Sequence, residues 1–307
     1  MARAASRRRH TRSSPLGSRL GLVRCPRLRT GSMGYMLICL RLLVLALLSG
    51  CATAIAQQSD VACPSNRQLT VNVLYRVFPI RIGTDVGSAF TLEIGDEQYI
   101  VTAGHLLKGP APTEVEVKIA REEWVRIPVG LVGRGEGQDV LVLATTVDLS
   151  PRYPVEVGTD GLVLGQPVRF LGFLPDVETA PIPGYERGAP LVAGGVFSGF
   201  GKNFGSLWID GHNNKGFSGG PVVYHPLKAP TLEECRWKVA GIITGYRHVP
   251  VFTEGNVQVL AANNQPVVAN SGLMVATTIR TVEELVRRTQ GVEPMGDQPA
   301  GRERSGQ

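Results

Sequence analysis

Three short segments carry side chains that could together perform acyl transfer. Residues 216–221 read Gly-Phe-Ser-Gly-Gly-Pro. A serine hydroxyl attacks a carbonyl effectively only where the surrounding backbone can also aim N–H donors at the oxyanion that forms, and small residues permit that approach. Gly216 lets the chain turn so that its own N–H and that of Ser218 can converge, while Gly219, Gly220 and Pro221 lead into an apolar run ending at Tyr224. Upstream, Val101-Thr102-Ala103-Gly104-His105 ends a strand-like run on an imidazole, the side chain whose pKa suits a general base near neutrality. In Gly137-Gln138-Asp139-Val140 a carboxylate heads another apolar run, where it can accept the Nδ1–H of a histidine and leave Nε2 free to take the serine proton. Each segment also has a bland reading: a glycine-rich turn, a packed or surface histidine, a turn aspartate before a strand. Glu136 and Asp148 flank the same run as competing carboxylates.

The elements around these segments read as β-structure. From Leu69 the chain consists of short alternating or apolar runs broken by Gly, Pro, Asn and Asp, the pattern of a sandwich or barrel. Strands are expected at 69–78, 87–94, 98–103, 115–127, 140–144, 167–173, 221–224 and 239–244. One helix is expected at Thr281–Thr289, with Thr281 as cap and Glu284 completing a capping box. Residues 148–161, with Pro151 and Pro154, look like a connection between two β units, and ligand sites favour such junctions. The polar stretch 291–307 is expected to be disordered. No repeat with a period of 20–50 residues is present.

The net charge of +6 and the pI near 9.2 mislead unless they are located. Residues 1–50 contain ten arginines and no acidic residue, which leaves 22 basic and 26 acidic residues for the remainder. A mildly acidic body argues against nucleic-acid binding. The apolar run 36–51 is short for a bilayer span and reads as the core of a signal peptide. Its end, Leu48-Ser49-Gly50-Cys51, resembles a bacterial lipobox, so Cys51 is a lipidation candidate, although Ala54-Ile55-Ala56 also suits ordinary signal peptidase. The domain plan is a leader over 1–56, a linker over 57–68, a body over 69–290 with units near 69–150 and 160–280, and the tail. Export as a periplasmic or cell-surface lipoprotein, or else secretion, is the expected fate, with membrane attachment through Cys51 in the first case. Cys63 and Cys235 then remain in an oxidising compartment, either bridged or as two buried thiols. The histidines lack metal-ligand spacing, and no metal or cofactor is expected.

The order His105, Asp139, Ser218 is one of three known among serine peptidases, and with the motifs around it the chain resembles the trypsin-like serine proteases, nearer the bacterial and HtrA/Deg-type variants than the digestive enzymes. The resemblance covers roughly residues 70–290. It implies an all-β fold of two six-stranded antiparallel barrels with the active site in the cleft between them and a short C-terminal helix, without a PDZ module. It implies peptide-bond hydrolysis of a peptide or protein substrate through an acyl-enzyme, with His105 as base, Asp139 as its orienting carboxylate, Ser218 as nucleophile and the N–H groups of Gly216 and Ser218 as oxyanion donors. Thr244, Gly245 and Tyr246 would line the substrate cleft, and His212, six residues before the nucleophile, would sit where the family sets charge preference. Phe217 departs from the family's aspartate. It is expected to fill part of the cleft or to favour a flipped Gly216 peptide. An esterase with the same machinery and a weakly active or inactive scaffold that binds peptides or protein partners are the alternative readings.

Overall fold

The computed structural model describes residues 60–64, 68–121, 123–135, 137–153, 155–183 and 185–291. The leader, Cys51, Glu136 and the tail past Gly291 lie outside the described residues.

A short helix α1 (Val71–Tyr75) precedes strands β1 (Val77–Ile82), β2 (Asp85–Ile94), β3 (Glu97–Thr102), β4 (Glu114–Lys118), β5 (Trp124–Pro128), β6 (Gly130–Arg134) and β7 (Leu141–Ala144). They form one curled antiparallel sheet in the order β5-β4-β1-β2-β3-β7-β6. The second half contains β8 (Glu156–Val157), β9 (Pro167–Gly172), β10 (Leu191–Phe200), β11 (Ser206–Asp210), β12 (Pro221–Tyr224), β13 (Lys238–Pro250) and β14 (Val268–Thr278), followed by helix α2 (Arg280–Thr289). Here the order β12-β9-β10-β11-β14-β13 closes on itself through a β12–β13 pairing, and β8 adds a parallel edge to β13. The expected two-barrel architecture is present. Its second unit is a closed six-stranded barrel and its first a seven-stranded half-barrel.

The apolar runs have a simple cause: both faces of the central strands are buried. On β3 and β7, Ile100, Leu141 and Leu143 point into the core of the first half, while Tyr99, Val101 and Val142 point to a layer shared between the halves. From the other side β9, β12 and β13 contribute Leu171, Val223 and Ile242 to that shared layer and Phe170, Val222 and Ile243 to their own barrel interior. α2 seals the layer with Val282 and Val286. Each such aliphatic side chain stabilises the fold by roughly 1.5–3 kcal/mol, so the two halves are held as one body by apolar packing.

Two local expectations are corrected. Residues 71–75 are helical rather than the start of a strand. Thr281 does not cap α2, whose N-cap is Ile279 without a side-chain cap bond. The Thr281 hydroxyl donates instead to Gln138 Oε1, beside Asp139, and Glu284 pairs with Arg280 Nε at 2.8 Å. A tertiary acceptor next to the site has taken the hydroxyl from the helix end.

Between β13 and β14 the chain makes an octapeptide near-repeat. The N–H of Val259 donates to Val251 O (2.8 Å), that of Val267 to Val259 O (2.9 Å), and that of Val251 to Val267 O (2.9 Å), closing a ring of three. The turns repeat at the same spacing: Asn256 (φ 58°) bonds back to Thr253, and Asn264 (φ 62°) to Ala261, each at 2.9 Å.

Cys63 and Cys235 are bridged, with Cα atoms 5.5 Å apart and a sequence separation of 172. The bridge fastens Val61–Ala62, which pairs with Lys228–Ala229, to the second barrel. Constraining so long a loop in the unfolded chain is expected to contribute about 2–5 kcal/mol. Cys63→Ser should lower the unfolding free energy by that amount in urea titration, and reduction of the parent should reproduce it.

Candidate active site

His105 stands on a single 3-10 turn, Gly104–Leu106, immediately after β3. Asp139 lies just ahead of β7, in a turn closed by Gln138 N–H to Gly135 O (3.2 Å) and Gly135 N–H to Val140 O (3.0 Å). Because β3 and β7 pair directly, with Thr102 opposite Leu141, their adjoining ends coincide in space. Asp139 then holds His105 twice: Oδ1 accepts the His105 backbone N–H and Oδ2 bonds Nδ1, both at 2.6 Å. The second bond, helped by the Asp139 and Asp85 charges and opposed by partial burial, raises the His105 pKa above its ordinary 6.5. The rival Asp148 is turned away, pairing with Arg152 at 2.8 Å.

Ser218 lies in the loop ahead of β12, and this loop is pinned from both sides. Ser88 N–H on β2 donates to Ser218 O (2.9 Å), while Gly219 N–H donates to Ile243 O (2.7 Å) and Ile243 N–H to Gly220 O (2.9 Å) on β13. Gly219 (φ +89°) is seated against Ser88 O, Thr102 Oγ1 and Ala103 N, two residues from His105. Phe217 N–H bonds Asn214 O (3.1 Å) and Gly220 N–H bonds Phe217 O (2.9 Å). Of the five N–H groups from Gly216 to Gly220, only those of Gly216 and Ser218 have no acceptor among the described residues. Those are the two expected as oxyanion donors. Gly216 has φ +103°, and a Cβ there would collide with Phe173 O.

Phe217 does not occupy the cleft. It is 3% exposed, packed in the second barrel with its ring edge-on to Phe170 at 5.8 Å. It anchors the Ser218 loop by apolar burial. Thr244 lies on β13 beside the loop, its hydroxyl donating to Val275 O (3.3 Å), and Gly245 O accepts Asn213 Nδ2 (3.2 Å). Tyr246 stacks at 4.6 Å on His248 along the same strand. His212 is exposed at the surface, whereas its neighbour Asn213 is buried between the loop and β13.

Ser88 was not singled out from sequence. Its hydroxyl donates to Gly216 O (2.7 Å) and accepts the Phe173 N–H (2.9 Å), fixing the backbone next to the two unpaired N–H groups. The local signal is a small polar residue between Gly87 and Ala89 in β2. Among the described residues no cluster of His, Cys, Asp and Glu could hold a metal ion, and no helix is long and apolar enough to cross a membrane.

Among solved structures the chain is similar to the serine endoprotease from Yersinia pestis (18% identity, TM-score 0.43, covering 72% of this chain and 68% of that one) and to the Rv3671c protease in its inactive form (16%, 0.44, 71% and 90%). No curated protein matches the sequence. Residues 87–225 match the family described as trypsin-like peptidase domain. That stretch runs from β2 through His105, Asp139 and Ser218 to the end of β12.

Proposed function

We propose that the protein is a serine endopeptidase in which Ser218 attacks the peptide carbonyl, His105 takes its proton and returns it to the leaving amine, and Asp139 orients and stabilises the imidazolium. The observation that carries this reading is the selective pairing at the nucleophile loop. Gly216 and Ser218 keep their N–H groups unpaired where the neighbouring three are bonded, the arrangement needed to stabilise an oxyanion beside a serine. The double bond from Asp139 to His105 supports the second half of the reading. Thr244, Gly245 and Tyr246 are proposed to receive the acyl-side peptide as an added strand. The Cys63–Cys235 bridge favours an oxidising compartment and thus an exported protein, with lipidation of Cys51 as the proposed anchor.

A fluorophosphonate probe tests the function. The parent should be labelled on Ser218, and Ser218→Ala should not be labelled. Folded parent that resists the probe would sink the enzyme claim, and labelling that survives Ser218→Ala would sink the assignment of the nucleophile.

The pH profile follows from His105. A general base must be neutral, so kcat/KM should rise with pH through a midpoint above 6.5, the unperturbed value, because the Asp139 bond raises the imidazole pKa. A folded-state pKa raised above its unfolded value contributes stability that is complete at low pH and lost as pH rises through the folded pKa. Hydrolysis rates and denaturation midpoints between about pH 5 and 9 therefore should move in opposite directions for this group.

A further inference from the structure

A cavity of about 120 Å³ opens beside Gly216, lined also by Gly87 and Phe173 and by no residue of β13. Its apolar walls are Pro79, Phe173 and Leu174, and Trp124 lines it beneath Arg81, whose guanidinium lies 4.1 Å from the ring centroid. Its charged lining is unbalanced: Lys118, Arg121 and Arg187 face a single acid, Glu178. Arg121 and Glu178 are joined, with Arg121 Nε 2.7 Å from Glu178 Oε2, and both are exposed. Arg187 is buried, donating to Tyr75 O at 2.7 Å. The Lys118 ammonium, by contrast, makes no hydrogen bond or ion pair among the described residues, although it lies close enough to Glu178 to help lower that carboxyl's pKa. The cavity therefore keeps one uncommitted cation and an excess of positive charge against an apolar floor.

We propose that this cavity binds a carboxylate on the leaving-group fragment of the substrate, an inference that rests on the peptidase reading. The acyl-side peptide is proposed to run along Thr244–Tyr246, the strand tied to Gly219 through Ile243 O. A chain passing over Ser218 then leaves on the other side, toward Gly87, Phe173 and Gly216, where the cavity begins. Gly216 lies two residues before Ser218 and lines the cavity, so at about 3.3 Å per extended residue the first three residues past the cleaved bond are the ones assigned to it. Lys118 takes the carboxylate directly, and Arg121 joins by sharing or exchanging its bond to Glu178. An ammonium group at the same place meets three like charges, so the cavity selects by repulsion as well as attraction.

Two measurements decide this. Quenched peptides that differ only in Glu, Ala or Lys at each of the first three leaving-side positions are compared by kcat/KM. One position should favour Glu over Lys by about tenfold, and in Lys118→Glu that ratio should fall to one or below. A peptide ending there in a free carboxylate, set against its amide, separates a C-terminus from an acidic side chain as the source of the charge. In parallel, Ser218→Ala protein is titrated calorimetrically with the Glu and Lys forms of the leaving-side hexapeptide, which reads the cavity without turnover. Tighter binding of the Glu form with no hydrolysis by the parent would support the cavity while overturning the peptidase reading. Hydrolysis with equal rates for Glu and Lys, equal calorimetric affinities, or a preference untouched in folded Lys118→Glu would each overturn the cavity's role.

Discussion

Asp139→Asn is expected to lower kcat by about 10⁴ with little change in fold, and the reason lies in the two bonds to His105. The backbone N–H of His105 can only donate, so it requires an acceptor at the position of Asp139 Oδ1. An asparagine has one oxygen to offer. Once that oxygen faces the backbone, its amide NH₂ faces Nδ1, which must then accept and lose its proton. The proton moves to Nε2, where the imidazole can no longer take one from a serine. The same substitution removes the largest cause of the raised His105 pKa, so the residual activity should titrate with a lower midpoint than the parent. Steady-state kinetics with a quenched peptide, across pH, reads both effects. Activity within about tenfold of the parent would show that Asp139 does not fix the tautomer.

Gly219→Ala should cost at least about 3 kcal/mol and abolish fluorophosphonate labelling. Gly219 has φ +89°, a region that side-chain-bearing residues rarely adopt. Its Cβ would drive into Ser88 O and Thr102 Oγ1 and stand 2.9 Å from Ala103 N. None of these can retreat cheaply, because Ser88 O already accepts the Thr102 hydroxyl at 2.7 Å and the Ser88 N–H holds Ser218. The nucleophile loop would have to lift from the strands that position His105. Gly245→Ala is the matched control, since a Cβ there meets nothing within 4 Å. Urea midpoints of the two variants should differ accordingly, and equal midpoints would refute the seating of the loop.

What could be read from sequence and what could not follow from how each segment is buried. β3 and β7 lie between two cores and read as unbroken apolar runs, so their ends, and with them His105 and Asp139, were legible as strand termini. β10 was missed because its residues alternate between partial burial and exposure and include Gly194, Gly195 and Gly199, which resemble a loop. Val71–Tyr75 has a strand-like pattern, yet it folds as a helical turn whose Val73 and Leu74 reach the shared layer. Thr281 had the right spacing for a cap, but a nearby glutamine offered a better partner. Phe217 was recognised as a departure without its direction being readable. Whether a side chain after a glycine faces cleft or core depends on a backbone turn fixed by distant contacts. Sequence also cannot place His105 and Asp139 at 2.6 Å across 34 residues; only the pairing of their strands does.

The ring of three valines bears on how such a surface survives in solution. Val251, Val259 and Val267 belong to short, nearly uncharged segments, and the residue after each, Phe252, Leu260 or Val268, is about half exposed at 48–50%. Segments of that composition with open edges are templates for adding strands from other molecules, the first step toward fibrils. A ring has no first or last member. Each valine's N–H and C=O are spent within the trio, so the protein can hold an apolar arm in water without offering a growing end.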